Sequence, residues 1–465
     1  MLSVNPSLHY VGLDVHKHVV AACIVDAQNQ VLGRHRFPCT RAGLERFARQ
    51  HLRPTDQVVL EATTNTWAVV NILKPFVAAV VVSNPLRTKA IAEAKIKTDK
   101  VDALVLAQLL RCDFLPRVWE PGPDTQSLRR LTARRASLVM DKTAIKNRIH
   151  ALLHQQLIAA PVKDVFSGPG RAWLQTLTLE ADGQRALASD LRLLEAVEEE
   201  IARQEQGLAQ IGYADPQVKL LLTLPGVDLT VAQTLLATLG DVTRFRDGAH
   251  AASYLGLVPS TKQSAATCYH GPITRQGNGH ARAMLVQAAQ HVGMHPGPLG
   301  AFFRRLSTRK NRSVAVVATA RKLVVIAWQM LRNQEPYRYA QPATTQLKFD
   351  RLRLKATGEK QKCGARPGTT RSATYGSGEH TRPVPSLPQV LSHGALPPAK
   401  SVGQLSRGEL RVLRQTKTLA FVEQIQRPHR RVIKRATPPQ EESNAKKEES
   451  NAKSAKRKRG DFTRS

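Results

Sequence analysis

Four acidic residues in the first quarter of the chain have the types and spacing of a metal site. Asp14 lies inside an apolar run at residues 10–15, and Glu61 ends a second apolar run. Asp99 and Asp102 are three residues apart and therefore share one face of a predicted helix. A carboxylate within an apolar strand is costly unless a cation or a donor compensates it. Because oxygen ligands suit hard cations, these acids predict magnesium-dependent chemistry.

Each of these acids also has an ordinary structural interpretation. Asp14 could face solvent on an edge strand, and Glu61 alone is an unremarkable acid at a strand end. Asp99 and Asp102 lie among lysines, so a solvated, salt-bridged helix face is an alternative to a metal site. The metal interpretation is favoured because the acids occur as a set. Asp26, a competing acid, is predicted to be a turn residue.

The net charge predicts a polyanionic substrate. The 465 residues include 69 Lys plus Arg against 36 Asp plus Glu, a formal net charge of +33. Such an excess favours phosphate backbones through counterion release and electrostatic steering. Part of the excess could instead belong to a solvated basic tail. Together with the acids, the charge predicts a metal-dependent enzyme that acts on nucleic acid.

Cysteine usage and hydropathy predict a cytoplasmic protein with no membrane partner. The five cysteines are odd in number and form no C-x-x-C pair, which argues against a disulfide framework and a zinc site. No secretory signal is visible at the N-terminus. The longest apolar stretch, residues 67–82, is interrupted by polar residues and proline and is too short to span a bilayer.

The order of predicted elements in the first domain indicates the fold class. Residues 8–37 alternate as strands, and helices and strands then alternate as far as the helix that bears Asp99 and Asp102. This order predicts an α/β domain with a mixed sheet of the RNase H type. In that arrangement, acids on the first strand, the fourth strand and a late helix meet at one edge.

A proline-punctuated linker at residues 116–123 precedes two segments with seven-residue repeats. Their spacing predicts an antiparallel, coiled-coil helical hairpin. The first segment is rich in arginine, so the hairpin could be a dimerising spacer or could lie on a nucleic acid backbone. The repeats are formed by Leu131, Leu138, Ile145 and Leu152, and by Leu187, Leu194, Ile201 and Leu208.

The remainder divides into a second compact region and a tail. Residues 220–236 resemble a helix-hairpin-helix, whose backbone N–H groups can bind phosphate. Asp228 opposes phosphate where such hairpins usually have glycine, so a structural turn is favoured. After residue 336 the composition shifts to Pro, Gly, Thr, Ser and basic residues, which predicts a largely disordered basic arm. A helix is predicted only at residues 405–426.

These motifs, taken in order, resemble the DEDD-type insertion-sequence transposases of the "one-ten" insertion sequence family. The similarity covers about residues 8–335, and the set of motifs is specific although each alone is weak. The matching runs are Gly12-Leu-Asp-Val-His-Lys17, Leu60-Glu-Ala-Thr63, Lys97-Thr-Asp-Lys-Val-Asp-Ala103, Leu224-Pro-Gly-Val227, Phe245-Arg-Asp247, Tyr254-Leu-Gly-Leu-Val-Pro-Ser260, Gln263-Ser264 and Gly271-Pro-Ile-Thr-Arg-Gln-Gly-Asn278.

The resemblance implies a RuvC-like catalytic domain whose metal-binding tetrad is Asp14, Glu61, Asp99 and Asp102. It also implies a serine nucleophile in the C-terminal transposase domain, which corresponds to Ser264. Ala265 stands where the family usually has glycine, so Ser260 is kept as the second candidate. The implied domains are RuvC-like at 1–118, helical hairpin at 124–212, mostly helical transposase domain at 216–335 and basic tail at 336–465.

The function implied by the resemblance is magnesium-dependent, RNA-guided DNA recombination that mobilises an insertion sequence. A serine nucleophile would form a covalent link to DNA, and Mg²⁺ would be the cofactor. The implied partners are donor and target DNA, a noncoding guide RNA and further copies of the chain, as a dimer or tetramer. Two rival functions remain: a structure-specific endonuclease of the Holliday-junction-resolvase type, and a nonenzymatic nucleic-acid-binding protein.

Overall fold

The computed structural model describes residues 8–91, 99–264, 267–359 and 380–433. The chain folds into two compact units, Met1–Gly122 and Pro123–Ser465. Each unit has its own buried apolar core. The boundary between the units falls at the end of the proline-punctuated segment 116–123.

The first unit is built on one five-stranded mixed sheet. Its strand order is β3-β2-β1-β4-β5, with β1–β2 and β2–β3 antiparallel and β1–β4 and β4–β5 parallel. This is the predicted mixed sheet of the RNase H type, and the predicted fold class is confirmed. The strands are β1 (Tyr10–Val15), β2 (Val19–Val25), β3 (Val31–Pro38), β4 (Gln57–Glu61) and β5 (Ala79–Ser83).

The two faces of this sheet pack against different helices. Alternate residues of β1, such as Val11 and Leu13, are fully buried in a cluster with α1 (Arg41–His51) and α2 (Thr66–Leu73). The opposite face packs against α4 (Asp99–Arg111), after the short helix α3 (Pro85–Ile91). Strand side chains alternate between the two faces, so Gly12 and Asp14 belong to the α4 side.

The second unit begins with a long helical hairpin. Helices α5 (Pro123–Gln155) and α7 (Ala181–Ala214) flank the short α6 (Gly168–Thr176). Their ion pairs show that they run antiparallel, because increasing residue numbers on α5 face decreasing numbers on α7. The pairs are Arg135–Glu205, Lys142–Glu198 and Arg148–Asp190. The heptad residues Ile145, Leu187 and Leu194 are buried in the seam.

Helices dominate the rest of the second unit. Its core includes apolar side chains from α8 to α14. These helices are α8 (Pro216–Leu222), α9 (Leu229–Leu239), α10 (Gly248–Tyr254), α11 (Gly279–Val292), α12 (Pro298–Arg309), α13 (Arg312–Asn333) and α14 (Pro342–Thr357). Helix α13 is long and apolar enough to cross a membrane by length and composition. Half of its most apolar window is buried within the protein.

A two-stranded ribbon leaves this helical body between α10 and α11. Strands β6 (Pro259–Ser264) and β7 (Thr267–Ile273) pair antiparallel, and most of their residues are exposed. The base of the ribbon is tightly packed. Gly256 and Gly277 both have positive φ. A Cβ atom added to Gly256 would lie 2.3 Å from the Gln276 carbonyl oxygen. A Cβ atom added to Gly277 would lie 2.1 Å from the Tyr254 carbonyl oxygen.

The region after residue 336 contains more regular structure than its composition suggests. Helix α14 packs against α7, and three leucine and valine residues of α15 (Leu387–His393) are buried in the main core of the second unit. They are Leu387, Val390 and Leu391. Closely spaced apolar residues therefore anchor short helices within a sequence rich in proline and basic residues. The other elements are α16 (Arg407–Gln415), α17 (Leu419–Ile425), β8 (His380–Val384) and β9 (His429–Ile433). The basic cluster at residues 456–459 lies outside the described residues.

Candidate active site

Asp14 is the penultimate residue of β1 and belongs to the sheet face that packs against α4. Its side chain is 19% exposed, so the carboxylate is largely but not completely removed from solvent. The Nε2 atom of His16 lies 3.0 Å from Oδ2 of Asp14. An imidazole at this distance can hold a carboxylate in one orientation.

Glu61 lies beside Asp14 on the neighbouring parallel strand. Strands β1 and β4 pair with Leu13 opposite Leu60, and Asp14 and Glu61 each follow one residue later. Residues at corresponding positions on adjacent parallel strands project to the same face, with strands about 4.8 Å apart. The register therefore brings two carboxylates from residues 47 positions apart in sequence to one edge of the sheet.

Helix α4 runs antiparallel to β1 and so directs its first turn towards the same edge. At the far end of the helix, the Arg111 guanidinium donates a hydrogen bond to the Ala27 carbonyl at 3.3 Å. Ala27 follows β2 at the end where β1 begins. The first turn of α4 therefore lies towards the carboxyl end of β1. Asp102 is half-buried there, while the side chain of Asp99, the first helical residue, lies outside the described part of the protein.

Gly12 allows α4 to lie directly against β1. A Cβ atom at Gly12 would lie 2.0 Å from the Ala103 carbonyl oxygen and 2.7 Å from the Ala107 backbone nitrogen. Both are backbone atoms, so the helix itself would have to move. The glycine two residues before Asp14 is thus required for the close approach of the helix that bears Asp102.

The carboxylates fit a divalent cation by donor type and by their common edge. Carboxylate oxygens are the ligands that magnesium prefers. Among the side chains that the structure describes, no group of three or more His, Cys, Asp or Glu is close enough to hold a metal ion. The Asp99 side chain lies outside that set, so this finding concerns three of the four predicted ligands.

The two candidate serines lie on the exposed ribbon of the second unit. Ser264 is the last residue of β6, is exposed and pairs with Thr267. Ala265, which follows it, lies outside the described residues. Ser260 is half-buried near the ribbon base, where its hydroxyl donates to the Pro272 carbonyl at 3.1 Å. Of the two hydroxyls, that of Ser264 is the more accessible to a large substrate.

The helix-hairpin-helix-like turn is stabilised by contacts within the protein. Asp228 caps helix α9 by accepting a hydrogen bond from the Val231 N–H at 2.8 Å. Gly226 has a φ of 76°, and a Cβ there would lie 2.2 Å from the Ala288 carbonyl oxygen. The carboxylate that argues against phosphate binding is therefore the N-cap of the second helix.

Sequence patterns assign no catalytic role to His16 or to Gly12. A histidine at the end of a strand is ordinarily structural, whereas the His16 ring contacts the Asp14 carboxylate. The two-residue spacing between Asp14 and His16 is the sequence signal for this contact, because residues two apart can lie on one side of an extended segment. The requirement for Gly12 depends on the position of α4, which no local pattern gives.

Comparison with protein families matches both units. The sequence model of IS110-type DEDD transposases matches residues 11–158, and that of the transposase IS116/IS110/IS902 family matches residues 218–304. The first match includes all four predicted metal ligands, and the second includes both candidate serines. This chain belongs to the IS110 family of transposases.

Individual relatives are similar to this chain over most of their own length. A putative transposase, y4qE of Sinorhizobium fredii, is 26% identical over 356 residues, which cover 70% of this chain and 88% of the relative. A probable family 20 transposase of Pseudomonas aeruginosa is 25% identical over 345 residues, 71% of this chain and 99% of the relative. The pilin gene-inverting protein of Moraxella lacunata is 24% identical over 349 residues, 70% and 97% respectively.

Membership of the IS110 family identifies the chain as a DNA transposase or recombinase and DNA as its substrate. The expected recognition and enzyme class are thereby confirmed. The alternative of a nonenzymatic nucleic-acid-binding protein is therefore no longer needed to explain the net positive charge. A nuclease-like DEDD domain is also typical of enzymes that use a divalent metal ion.

Proposed function

We propose that this transposase catalyses magnesium-dependent DNA cleavage and strand exchange through a covalent serine intermediate, guided by a noncoding RNA. The observation that carries the proposal is the register of β1 and β4, which places Asp14 and Glu61 side by side at one sheet edge. The direction of α4 adds Asp102 from a third element.

Asp14, Glu61, Asp99 and Asp102 would hold the metal. Bound magnesium supplies charge stabilisation to the oxygens of a phosphodiester undergoing displacement. His16 holds the Asp14 carboxylate in one orientation through the contact with Oδ2. Gly12 keeps α4, and with it Asp102, close to the sheet.

Ser264 is proposed as the nucleophile. Its Oγ forms a bond to phosphorus while the bond from phosphorus to the 3′ oxygen breaks, so that the serine proton is lost and the released 3′ oxygen gains a proton. The DNA then carries a 5′-phosphoserine link. Attack by another 3′-hydroxyl reverses these bond changes and frees the serine, so strands are exchanged without any high-energy cofactor.

The partners proposed are donor DNA, target DNA, a guide RNA and further copies of the chain, as a dimer or tetramer in the cytoplasm. The net charge of +33 supports binding of long polyanions. The arginine-bearing hairpin is partly neutralised by its own ion pairs, such as Arg148–Asp190. This supports a structural role for much of the hairpin.

The proposal is tested by searching for the covalent intermediate. The full chain is expressed with its flanking element DNA, purified under denaturing conditions and examined by mass spectrometry for a nucleotide-bearing peptide. The adduct is expected on Ser264 and should disappear in Asp14→Asn. Asp26→Asn is the matched control, because the Asp26 carboxylate accepts hydrogen bonds only from the turn amides of Gln28 and Gln30 in the described contacts.

The serine variants separate the alternatives. Ser264→Ala should abolish the adduct, while Ser260→Ala should retain it. An adduct on Ser260 would keep the covalent mechanism and change the nucleophile. Cleaved DNA without any adduct would refute the serine intermediate and favour an endonuclease of the Holliday-junction-resolvase type.

A further inference from the structure

The corner between α12 and α13 is a basic surface that the proposed strand-exchange chemistry does not use. Residues 248–334, which include this corner, contain eleven Lys or Arg and no Asp or Glu. Four of these cations lie within eight consecutive residues, and all four are exposed. They are Arg305 and Arg309 of α12, Lys310 of the link, and Arg312, the first residue of α13. These four residues are called the basic corner below.

Packing and capping fix the geometry of the basic corner. Phe303 of α12 is buried in the main core of the second unit, and α13 packs against α10, α11 and α12. At about 100° per residue, Arg305 and Arg309 lie on the side of α12 that faces away from Phe303. The Asn311 side chain caps α13 by accepting a hydrogen bond from the Ser313 N–H at 2.9 Å. The cations are therefore held at two helix ends that the core and the cap keep in place.

The basic corner has no compensating acids in the part of the chain that the structure describes. None of its four side chains forms an ion pair or a hydrogen bond with a described residue. The acids that flank the segment in sequence are Asp247 and Glu335. Asp247 precedes Gly248, which approaches α13 at Val325, about 20 Å along the helix from Arg312. Glu335 follows the opposite end of α13 and pairs with a nearby arginine.

Exposed cations of the helical hairpin differ from the basic corner, because acids of the protein already neutralise them. Arg148 of α5 pairs with Asp190 of α7 at 2.6 Å. Arg203 is 69% exposed and pairs with Glu199 of its own helix at 3.2 Å. A phosphate would have to compete with those carboxylates for the arginines. The basic corner instead presents positive charge that an external polyanion can neutralise directly.

The chemistry of the basic corner fits the backbone of a duplex better than a single strand. Proteins that hold single strands stack bases on aromatic side chains, and residues 304–314 include no aromatic residue. Arg305 and Arg309 are about 6 Å apart along the axis of α12. A duplex carries one negative charge per about 1.7 Å of its axis, so both arginines can meet phosphates of one duplex. Thr308 and Ser313 are exposed beside them and have hydroxyl groups, which also contact phosphates.

We propose that the basic corner binds the phosphate backbone of duplex DNA. DNA is the substrate of the IS110 family, but the corner lies beyond residues 218–304, the part of the second unit that the family's sequence model matches. Contacts to phosphates position a duplex without reading its bases, so this binding is independent of DNA sequence. None of the four residues belongs to the tetrad or the ribbon. The proposal therefore depends on DNA as the substrate and not on the serine chemistry.

The test measures how salt weakens duplex binding by the full chain. The parent protein carries Ser264→Ala, so that cleavage does not obscure binding, and fluorescence anisotropy follows two labelled duplexes of equal length. One duplex has the sequence of the element end and the other is unrelated. Each lost phosphate contact lowers the slope of log K against log salt concentration by about 0.9. Replacing all four residues of the basic corner by Gln should lower the slope by about 3 to 4 on both duplexes.

Arg309→Gln and Arg203→Gln form a matched pair, because each removes one positive charge from an exposed helix surface. Arg309→Gln should lower the slope by about 0.9. Arg203→Gln should leave it unchanged, because Glu199 already neutralises that arginine. Thermal unfolding verifies that each variant is folded. Single-stranded DNA and an RNA duplex of the same length are the alternative ligands.

The proposal is overturned if the fourfold variant keeps the slope of the parent. It is also overturned if Arg203→Gln lowers the slope as much as Arg309→Gln, since net charge would then be the cause. A loss confined to single-stranded DNA, to the RNA duplex or to the element-end duplex would likewise contradict binding to the backbone of duplex DNA.

Formation of the serine adduct is measured separately, on the chain that retains Ser264. An adduct together with an unchanged slope in the fourfold variant would reject the basic corner alone. A lowered slope in the fourfold variant, with no adduct in the chain that retains Ser264, would support the basic corner and reject only the proposed mechanism.

Discussion

Replacement of Gly12 by alanine should impair catalysis, although the substitution changes none of the four acidic residues. The added Cβ would lie 2.0 Å from the Ala103 carbonyl oxygen, whereas an ordinary contact begins at 3.4 Å. The backbones of β1 and α4 must therefore separate by about 1.4 Å at this point. Because Asp102 is carried by α4, the separation moves one carboxylate away from Asp14 and Glu61.

The expected magnitudes follow from that displacement. Forcing extra volume into a packed interface costs about 1–3 kcal/mol in the free energy of unfolding. A misplacement of a catalytic group by about 1 Å can lower the rate of the catalysed reaction about 100-fold. We therefore expect Gly12→Ala to remain folded but to lose strand cleavage by about two orders of magnitude.

The assay combines urea unfolding with single-turnover cleavage of element DNA. Gly33→Ala is the matched control, because its Cβ meets the end of the His35 side chain, at 2.9 Å, and a side chain can rotate away. Cleavage by Gly33→Ala should stay close to that of the wild type. If Gly12→Ala cleaved DNA as fast as Gly33→Ala, the proposed dependence of the site on the α4 position would be refuted.

Two further predictions concern the second unit. In the folded protein, burial lowers the pKa of His295 to about 4, against 6.5 for a free histidine. Between these two pH values the unfolded chain binds a proton at His295 that the folded protein does not bind. The free energy of unfolding is therefore at its full value above pH 6.5 and falls by about 3 kcal/mol as the pH drops to 4. His295→Phe should flatten this part of the profile in urea unfolding, and an unchanged slope would contradict the assignment. Gly226→Ala places a side chain at a φ of 76° and 2.2 Å from the Ala288 oxygen. It should lower stability by at least about 2 kcal/mol, and an unchanged midpoint would show that the turn adapts.

Local patterns in the sequence predict much of the architecture. Alternating apolar residues mark the strands of the sheet, and the helix predicted to run to residue 110 is α4, which ends at Arg111. The seven-residue repeats predict the antiparallel hairpin formed by α5 and α7. Such patterns succeed because the period of burial is set by local backbone geometry.

The region after residue 336 shows where composition misleads. Its proline and basic residues indicate disorder, yet Leu387, Val390 and Leu391 are buried in the main core. A short helix needs only a few apolar contacts when the rest of the core is already formed, because tertiary packing supplies most helical stability. The average composition of the region is not sensitive to those few apolar residues.

Residue types and periodicity alone were enough to indicate acids in apolar strands, heptad-bearing helices and a polyanion-binding charge. The tertiary structure decided which of these residues lie together. The register of β1 and β4 placed Asp14 beside Glu61, and the direction of α4 placed Asp102 at the same edge. It also paired the hairpin arginines with acids on a distant helix and left the basic corner without such partners among the described residues. Those contacts depend on strand pairing and helix packing between distant residues, and local periodicity carries no information about either.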